Sequence, residues 1–338
     1  MSNSGGGVNS QQQENTAQKQ EVDAGPRDQL NRGRALIGTQ GWTGPDWRRL
    51  AYPSGLSASG RLSWYARVFD AVEVNSTFYG VPSHATVRTW RGSVPRGFTF
   101  TVKMPRLITH EPDLTRSDAE LASFLSAVSE LGEPLGGVLI QLPPWFGPDR
   151  LSELSRWMSR LPVSEFDFFL EVRSPALQGP ALSESLERAG IGTVTTNLST
   201  RPGKIEMSVS GQAGYIRWLG PRKGSDGSLI ASGRVLRPDT ETFKREAALW
   251  ASAIRSQIER GADVFGFFSG DYLGTGLLPA AYLSEQLDQP VDLSLRPSAV
   301  SLMQSALTDA GYPRVDPPSA PRRLPSSHDD SASQGVLI

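Results

Sequence analysis

The feature that most restricts how this chain can fold is a regular alternation of short β-rich runs with helix-spaced segments. The runs fall at 36–41 (LIGTQG), 71–75 (AVEVN), 98–103 (FTFTVK), 137–142 (GVLIQL), 167–173 (DFFLEVR), 191–196 (IGTVTT), 214–219 (GYIRWL) and 263–268 (DVFGFF). Between most of them, apolar residues recur at helical spacing. Leu62, Tyr65 and Phe69 mark one such face, Leu121, Phe124, Leu125, Val128 and Leu131 a second, and Phe243, Ala247, Trp250, Ile254 and Ile258 a third. Ser117 followed by Glu120 has the spacing of a capping box at the start of the second helix. Strands that alternate with helices build a parallel sheet, and eight are enough to close it. The expected fold is therefore an α/β, TIM-like (β/α)8 barrel. The interval 197–212 holds Gly, Pro and Ser without helical spacing, so a short or missing helix is expected between strands six and seven.

Composition sets the limits of that domain. Residues 1–33 are rich in Gln, Asn, Ser and Gly, and 315–338 form a Pro/Ser-rich tail; neither carries enough apolar surface to offset the entropy of ordering. Both are expected to be disordered, leaving a single barrel domain at 34–314. The formal net charge of −1 argues against bulk attraction to nucleic acid or membrane. No run approaches the roughly 20 apolar residues that cross a bilayer, and the N-terminus has no hydrophobic signal core. The chain has no cysteine, which removes disulfides, thiolate ligands and a thiol nucleophile. A cytoplasmic location is the expectation. The sequence gives no handle on oligomeric state.

Strand side chains alternate between faces, and the outer face of a barrel must meet apolar helices. Placing Val72, Val74, Phe100, Val102, Phe168, Leu170, Ile216 and Trp218 outward turns Glu73, Asn75, Thr99, Thr101, Lys103, Glu171, Arg173, Tyr215 and Arg217 inward. Four strands thus send charge toward the axis near their C-terminal ends, where active sites of this fold are assembled. A structural ion network is the plain alternative. Desolvation makes buried ion pairs a doubtful source of stability, so five converging charges favour a functional site.

The same residues sit in motifs that resemble a known family, the YecE-like proteins of domain-of-unknown-function family 72. The matching pieces are IGTQGWTGPDW (37–47), the pair Tyr52 and Pro53, FDAVEVNSTFYGVP (69–82), Trp90, FTFTVKMPRLITH (98–110), LGGVLIQLPPWF (135–146) and FLEVRSP (169–175). They recur in order over about 34–290. The resemblance implies a TIM-barrel-like fold and a bacterial cytosolic protein, and implies no reaction. Glu73, Asn75, Lys103, His110, Gln141, Glu171, Arg173, Arg217 and Asp271 match the family pattern. The departures are Gln40 for the usual Ser, Ser174 for a His after Arg173, Leu219 for a His in the seventh strand, and Ser269-Gly270 for Asn-Asn before Asp271. These departures point to an altered substrate preference or a weakened activity relative to the family.

Several chemistries suit these residues. Glu73 and Glu171 could form an acid–base pair across the mouth for hydrolysis of a glycosidic or phosphoester bond. Lys103, Arg173 and Arg217 supply cations for a phosphate or other small anion. GDYLGTG (270–276) before an apolar helix could add backbone N–H groups to that site, although turn-making explains such glycines more often. A divalent cation such as Mg²⁺ or Mn²⁺ could take oxygen ligands from Glu73, Glu171 and Asp271, with His110 in addition. His84, the other histidine of the barrel region, falls at a helix start; His110 is a candidate acid or a loop-fixing donor. Trp42, Trp47, Phe78, Tyr79 and Trp145 fall on loops after strands one, two and four and could wall a sugar or base. Asn75 and Gln141 are candidate orienting groups. The leading expectation is a hydrolase-like enzyme for an anionic, phosphorylated or nucleotide-like substrate, with a small anionic or polyhydroxylated ligand as partner. The alternative is a non-catalytic nucleic-acid-binding or ligand-binding protein with a degenerate active site.

Overall fold

Each of the eight runs forms a strand in the computed structural model, which describes residues 33–43, 52–111, 113–198, 205, 207, 209–210, 213–220, 222–223, 229–230, 241–270 and 276–289. They are β1 (Ala35–Gln40), β2 (Ala71–Val74), β3 (Thr99–Lys103), β4 (Leu135–Gln141), β5 (Phe168–Glu171), β6 (Gly192–Thr196), β7 (Ala213–Trp218) and β8 (Asp263–Phe268). All pair in parallel in chain order. The barrel closes because β8 pairs with both β7, from Asp263 with Ala213 to Phe268 with Trp218, and β1, from Val264 with Ala35 to Phe268 with Thr39. The expected α/β barrel is therefore observed.

Eight helices are described: α1 (Arg61–Tyr65), α2 (His84–Gly92), α3 (Arg106–Thr109), α4 (Asp118–Val128), α5 (Leu151–Met158), α6 (Pro180–Ala189), α7 (Glu241–Ile258) and α8 (Leu277–Gln286). Between β6 and β7 the described residues contain no helix, as the composition of that interval predicts. They include a two-residue strand, Val209–Ser210, antiparallel to the start of β7. The expected capping box on α4 does not form. The Ser117 hydroxyl donates instead to Leu114 O at 2.8 Å, because the 3₁₀ turn Leu114–Arg116 brings that carbonyl within reach first. Apart from Gly33, the end segments expected to be disordered lie outside the described residues.

The alternation of faces produces two cores. Outside the sheet, Val72, Val74, Phe100, Val102, Ile140, Leu170, Ile216, Trp218 and Val264 are buried under Leu62, Phe124, Val128, Leu154, Trp157, Leu186, Trp250 and Ile254 of the helices. Inside it, Leu36, Ala71, Leu139, Phe169, Val194, Tyr215, Phe265 and Phe267 form a separate cluster. Its centre is aromatic: the Phe169 ring lies 5.0 Å from that of Tyr215 and 5.9 Å from that of Phe265. A side chain at Gly137 or Gly192 would bring its Cβ to within 2.7 Å or 2.5 Å of that ring, so the bulk of Phe169 requires glycine on both neighbouring strands.

Near the start of β2 a side chain takes part in the ladder. The Tyr65 hydroxyl accepts from Thr39 N and donates to Ala71 O, both at 2.9 Å, and so bridges β1 to β2. Burial raises the phenol's pKa, which keeps it a donor at any physiological pH. Tyr65→Phe would strand both backbone groups, and a loss of roughly 1–3 kcal/mol is expected in urea unfolding. Fast amide exchange confined to Thr39 would locate the effect; unchanged stability would show that the bridge contributes nothing.

Candidate active site

Arg217 leaves β7 two residues beyond Tyr215, on the inner face, and is 2% exposed. Its Nε donates to Glu73 Oε2 at 2.9 Å and its Nη2 to Glu73 Oε1 at 2.8 Å, the bidentate fork that best matches a carboxylate. Its Nη1 meets Glu171 Oε2 and also reaches Gln141 Oε1 at 3.3 Å. One guanidinium thereby ties β2, β4 and β5 to β7. Tyr215 donates to Glu73 Oε2 at 2.8 Å and takes the Thr101 hydroxyl, also at 2.8 Å, behind it. Both oxygens of Glu73 are therefore occupied, and the residue is fully buried.

Arg173 lies two residues past the end of β5, on the connection rather than on the strand. The sequence pattern extends β5 to this arginine, but the ladder stops at Glu171. From there its Nε pairs with Glu171 Oε1 and its Nη2 donates to Gln141 Oε1 at 3.3 Å. Its side chain keeps 14% exposure, against 2% for that of Arg217. Burial alone would raise the Glu171 carboxyl, but Arg217 and Arg173 outweigh it and hold the group below the usual carboxylate range. The same two carboxylates, Glu171 and Glu73, keep Arg217 charged against its own burial.

Lys103 ends β3 and is 8% exposed. Its Nζ stands 3.8 Å from the centroid of the Phe78 ring, over its face. Among the described residues it makes no hydrogen bond and no ion pair. Burial first, and then the positive charge of Arg217, push its pKa down to about 8, while Glu73 and Glu171 offset part of the shift and Arg173 adds to it. Two carboxylates face three cations here, so the ionisation of Lys103 decides whether the cluster is neutral or carries one positive charge.

His110 caps α3, the short helix after β3. Its ring meets that of Phe78 edge-on at 5.1 Å, and its Nδ1 lies 2.8 Å from the Thr109 hydroxyl. Burial, Lys103 and Arg106 lower its pKa, so it stands neutral at pH 7. Phe78 was only one member of a list of loop aromatics in the sequence; nothing local distinguished it as the ring beneath Lys103. Tyr79 and Trp145 are 77% and 53% exposed, while Trp42 packs edge-on against Trp90 of α2 and joins the outer core. Asn75 sits at the start of the turn after β2, its Oδ1 buried and without a hydrogen bond among the described residues. His84 opens α2 and pairs with Glu130 at 3.1 Å, as a structural contact.

Of the positions read as departures from the family pattern, Gln40 makes a side-chain bond, while Ser174, Leu219 and Ser269 are held through their backbone. Gln40 Nε2 donates to Phe267 O at 3.3 Å, and the backbone of Leu219 is held on both sides by the Asn197 amide. Ser174 begins the 3₁₀ turn Pro175–Leu177, and Ser269 N donates to Trp218 O at 2.8 Å. Trp47, Asp271 and all of the GDYLGTG loop except Gly270 and Gly276 lie outside the described residues. Among the described residues no three His, Asp or Glu side chains are grouped to hold a metal ion, and the oxygens of Glu73 and Glu171 face cations instead.

Comparison with known proteins agrees with this architecture. A solved DUF72 family protein from Thermotoga maritima superposes with a TM-score of 0.58 at 23% identity, over 75% of this chain and 99% of that one. A second, from Enterococcus faecalis, gives 0.58 at 18% identity over 75% and 95%. The UPF0759 protein YecE of Escherichia coli (strain K12) is 34% identical over 171 residues, which is 49% of this chain and 59% of that protein. The chain therefore spans about three fifths of the length of the curated relatives it matches. No described helix is long and apolar enough to cross a membrane. The model described as "Protein of unknown function DUF72" matches residues 36–301, and the chain belongs to that family.

Proposed function

We propose that the barrel mouth is the active site of an enzyme for a small anionic substrate, with Lys103 meeting the anion and Arg173 beside it. One observation carries this reading. Lys103 is the cation of the cluster without a protein counter-ion among the described residues, and a bound anion would supply one. The other four charges form a chain, Glu73–Arg217–Glu171–Arg173, that balances itself. In this reading Arg217 is a support for the site rather than part of an anion clamp, since four of its five N–H groups are engaged by protein.

Hydrolysis through a Glu73/Glu171 pair needs a carboxylate able to take up and release a proton near neutral pH. Glu171 is held ionised by two arginines, and both oxygens of Glu73 accept hydrogen bonds. Proton transfer at this mouth therefore falls to Lys103 and His110, whose pKa values are moved toward neutrality or below it. A nucleic-acid strand would use the exposed Tyr79 and Trp145, but the cations are sunk in a mouth that suits a single anionic group better than a polyanion.

Three outcomes are expected. Inorganic phosphate should raise the melting temperature of the protein with the logarithm of its concentration above Kd, and Lys103→Met should abolish the response. An equal response in the variant would refute the anion reading. Lys103 also costs stability, because its pKa is lower folded than unfolded. The penalty is full below pH 8 and is relieved as pH rises from about 8 toward the ordinary lysine value of 10.5. Lys103→Met should thus be the more stable protein at pH 7 by on the order of 1–3 kcal/mol, with the difference shrinking across that window. Arg217→Met should lose about 3–5 kcal/mol in urea unfolding, because it leaves two carboxylates buried without their partner.

A further inference from the structure

The mouth holds a primary amine in surroundings that suit it to more than charge pairing. Lys103 is buried at the end of β3, its Nζ lies over the Phe78 ring, and no hydrogen bond or ion pair holds it among the described residues. The charged groups around it come from four other elements: Glu73 on β2, Glu171 at the end of β5 with Arg173 just beyond, Arg217 on β7, and His110 at the end of α3. Both carboxylates are bonded to arginines, so neither forms a salt bridge with the lysine.

A lysine set among other cations and shielded from water is the usual form of an amine nucleophile, since the neighbouring charge disfavours its ammonium form. Two features would assist the same chemistry. The face of Phe78 stabilises a positive nitrogen that is no longer solvated, and the carboxylates of Glu73 and Glu171 lie near enough to favour that charge. Arg173, with part of its side chain still exposed, stands at the same mouth to receive an anionic group.

We propose that Lys103 forms an imine with a small carbonyl compound bearing a carboxylate or phosphate, the anionic group lying toward Arg173. The lone pair of the neutral amine attacks the carbonyl carbon, and the C–N bond forms while the carbonyl π pair moves to oxygen. That oxygen takes up the proton lost from nitrogen, giving a carbinolamine. The nitrogen lone pair then expels the oxygen, which leaves as water with a second proton, and a C=N bond remains. Amine plus carbonyl gives imine plus water, with no change of oxidation state. Solvent water exchanges these protons, the second being returned when the intermediate C=NH⁺ loses its N–H. The substrate class rests on the anion reading above; the amine chemistry does not.

The test is reductive trapping on the full chain. The protein is incubated with pyruvate, dihydroxyacetone phosphate or neutral acetone, each with sodium borohydride, and the adducts are mapped by peptide mass spectrometry. The chain has five lysines, Lys19, Lys103, Lys204, Lys223 and Lys244, so each serves as a control for the others. Selective reduction onto Lys103 near pH 7–8, at least tenfold above the other four, is the expected result. Adduct spread evenly over the lysines, or none on Lys103, overturns the proposal. If phosphate binds through Lys103 but no adduct forms there, the anion reading stands and the imine does not. If acetone traps as well as pyruvate and dihydroxyacetone phosphate, the amine chemistry stands and the anion reading fails. Arg173→Lys, which keeps a positive charge beside Glu171 and Lys103 but loses the planar fork, should lower trapping by the two anionic compounds several-fold more than trapping by acetone, and an equal loss with all three overturns the role given to Arg173. Between pyruvate and dihydroxyacetone phosphate, the better-trapped compound identifies carboxylate or phosphate as the preferred group.

Discussion

The mouth of this barrel is organised by one buried guanidinium. Arg217 grips Glu73 with two parallel bonds and reaches Glu171 and Gln141 with a third nitrogen, so strands that are not neighbours are held at fixed separation across the axis. Removing these charges from water is costly, and the return in the interior depends on geometry and on every remaining lone pair being used. The structure meets part of that demand with additional hydrogen bonds, while Glu171 Oε1 has only its ion pair with Arg173. Tyr215 donates to Glu73 and is itself bonded by Thr101, while Arg173 and Gln141 adjoin the other end. Such a network contributes little net stability, but it leaves the mouth few alternative arrangements.

That rigidity determines the state of Lys103. Because the carboxylates are already bonded to arginines, the lysine feels the positive members of the cluster without the relief of a salt bridge. Its lowered proton affinity comes first from burial and then from Arg217, with the two carboxylates offsetting part of it, although none of the four touches it in a hydrogen bond among the described residues. The arrangement exchanges stability for an amine of lowered proton affinity, and the phenyl ring beneath the ammonium is its close stabilising contact among the described residues.

Much of this was legible in the sequence, because face alternation is a local rule. Once Val72, Phe100, Leu170 and Ile216 are assigned to the helical side, Glu73, Thr101, Glu171 and Arg217 have nowhere to go but inward, and the structure places them so. What alternation could not give is which charge meets which, since that depends on register and on strand tilt around the barrel. It also could not find where β5 ends: the apolar alternation runs on through Val172, yet the ladder stops at Glu171 and Arg173 stands on the connection. Trp42 shared its loop position with the residues of the mouth, but packs against Trp90 because an outer helix lies closer. The Tyr65 bridge was invisible for another reason. Tyrosine at a helical a-type position reads as an apolar marker, and only the fold reveals that its hydroxyl completes a sheet.

The aromatic cluster inside the barrel has a consequence for traffic. Phe169, Tyr215, Phe265 and Phe267 fill the lumen below the charges, with Gly137 and Gly192 letting Phe169 occupy the full width between β4 and β6. The lumen is therefore a blind alley. Whatever reaches Lys103 must leave by the way it came, and water displaced on entry has no rear exit. On the proposed reading, an incoming molecule and a departing one would both have to use the mouth end, since the aromatic cluster closes the passage through the lumen.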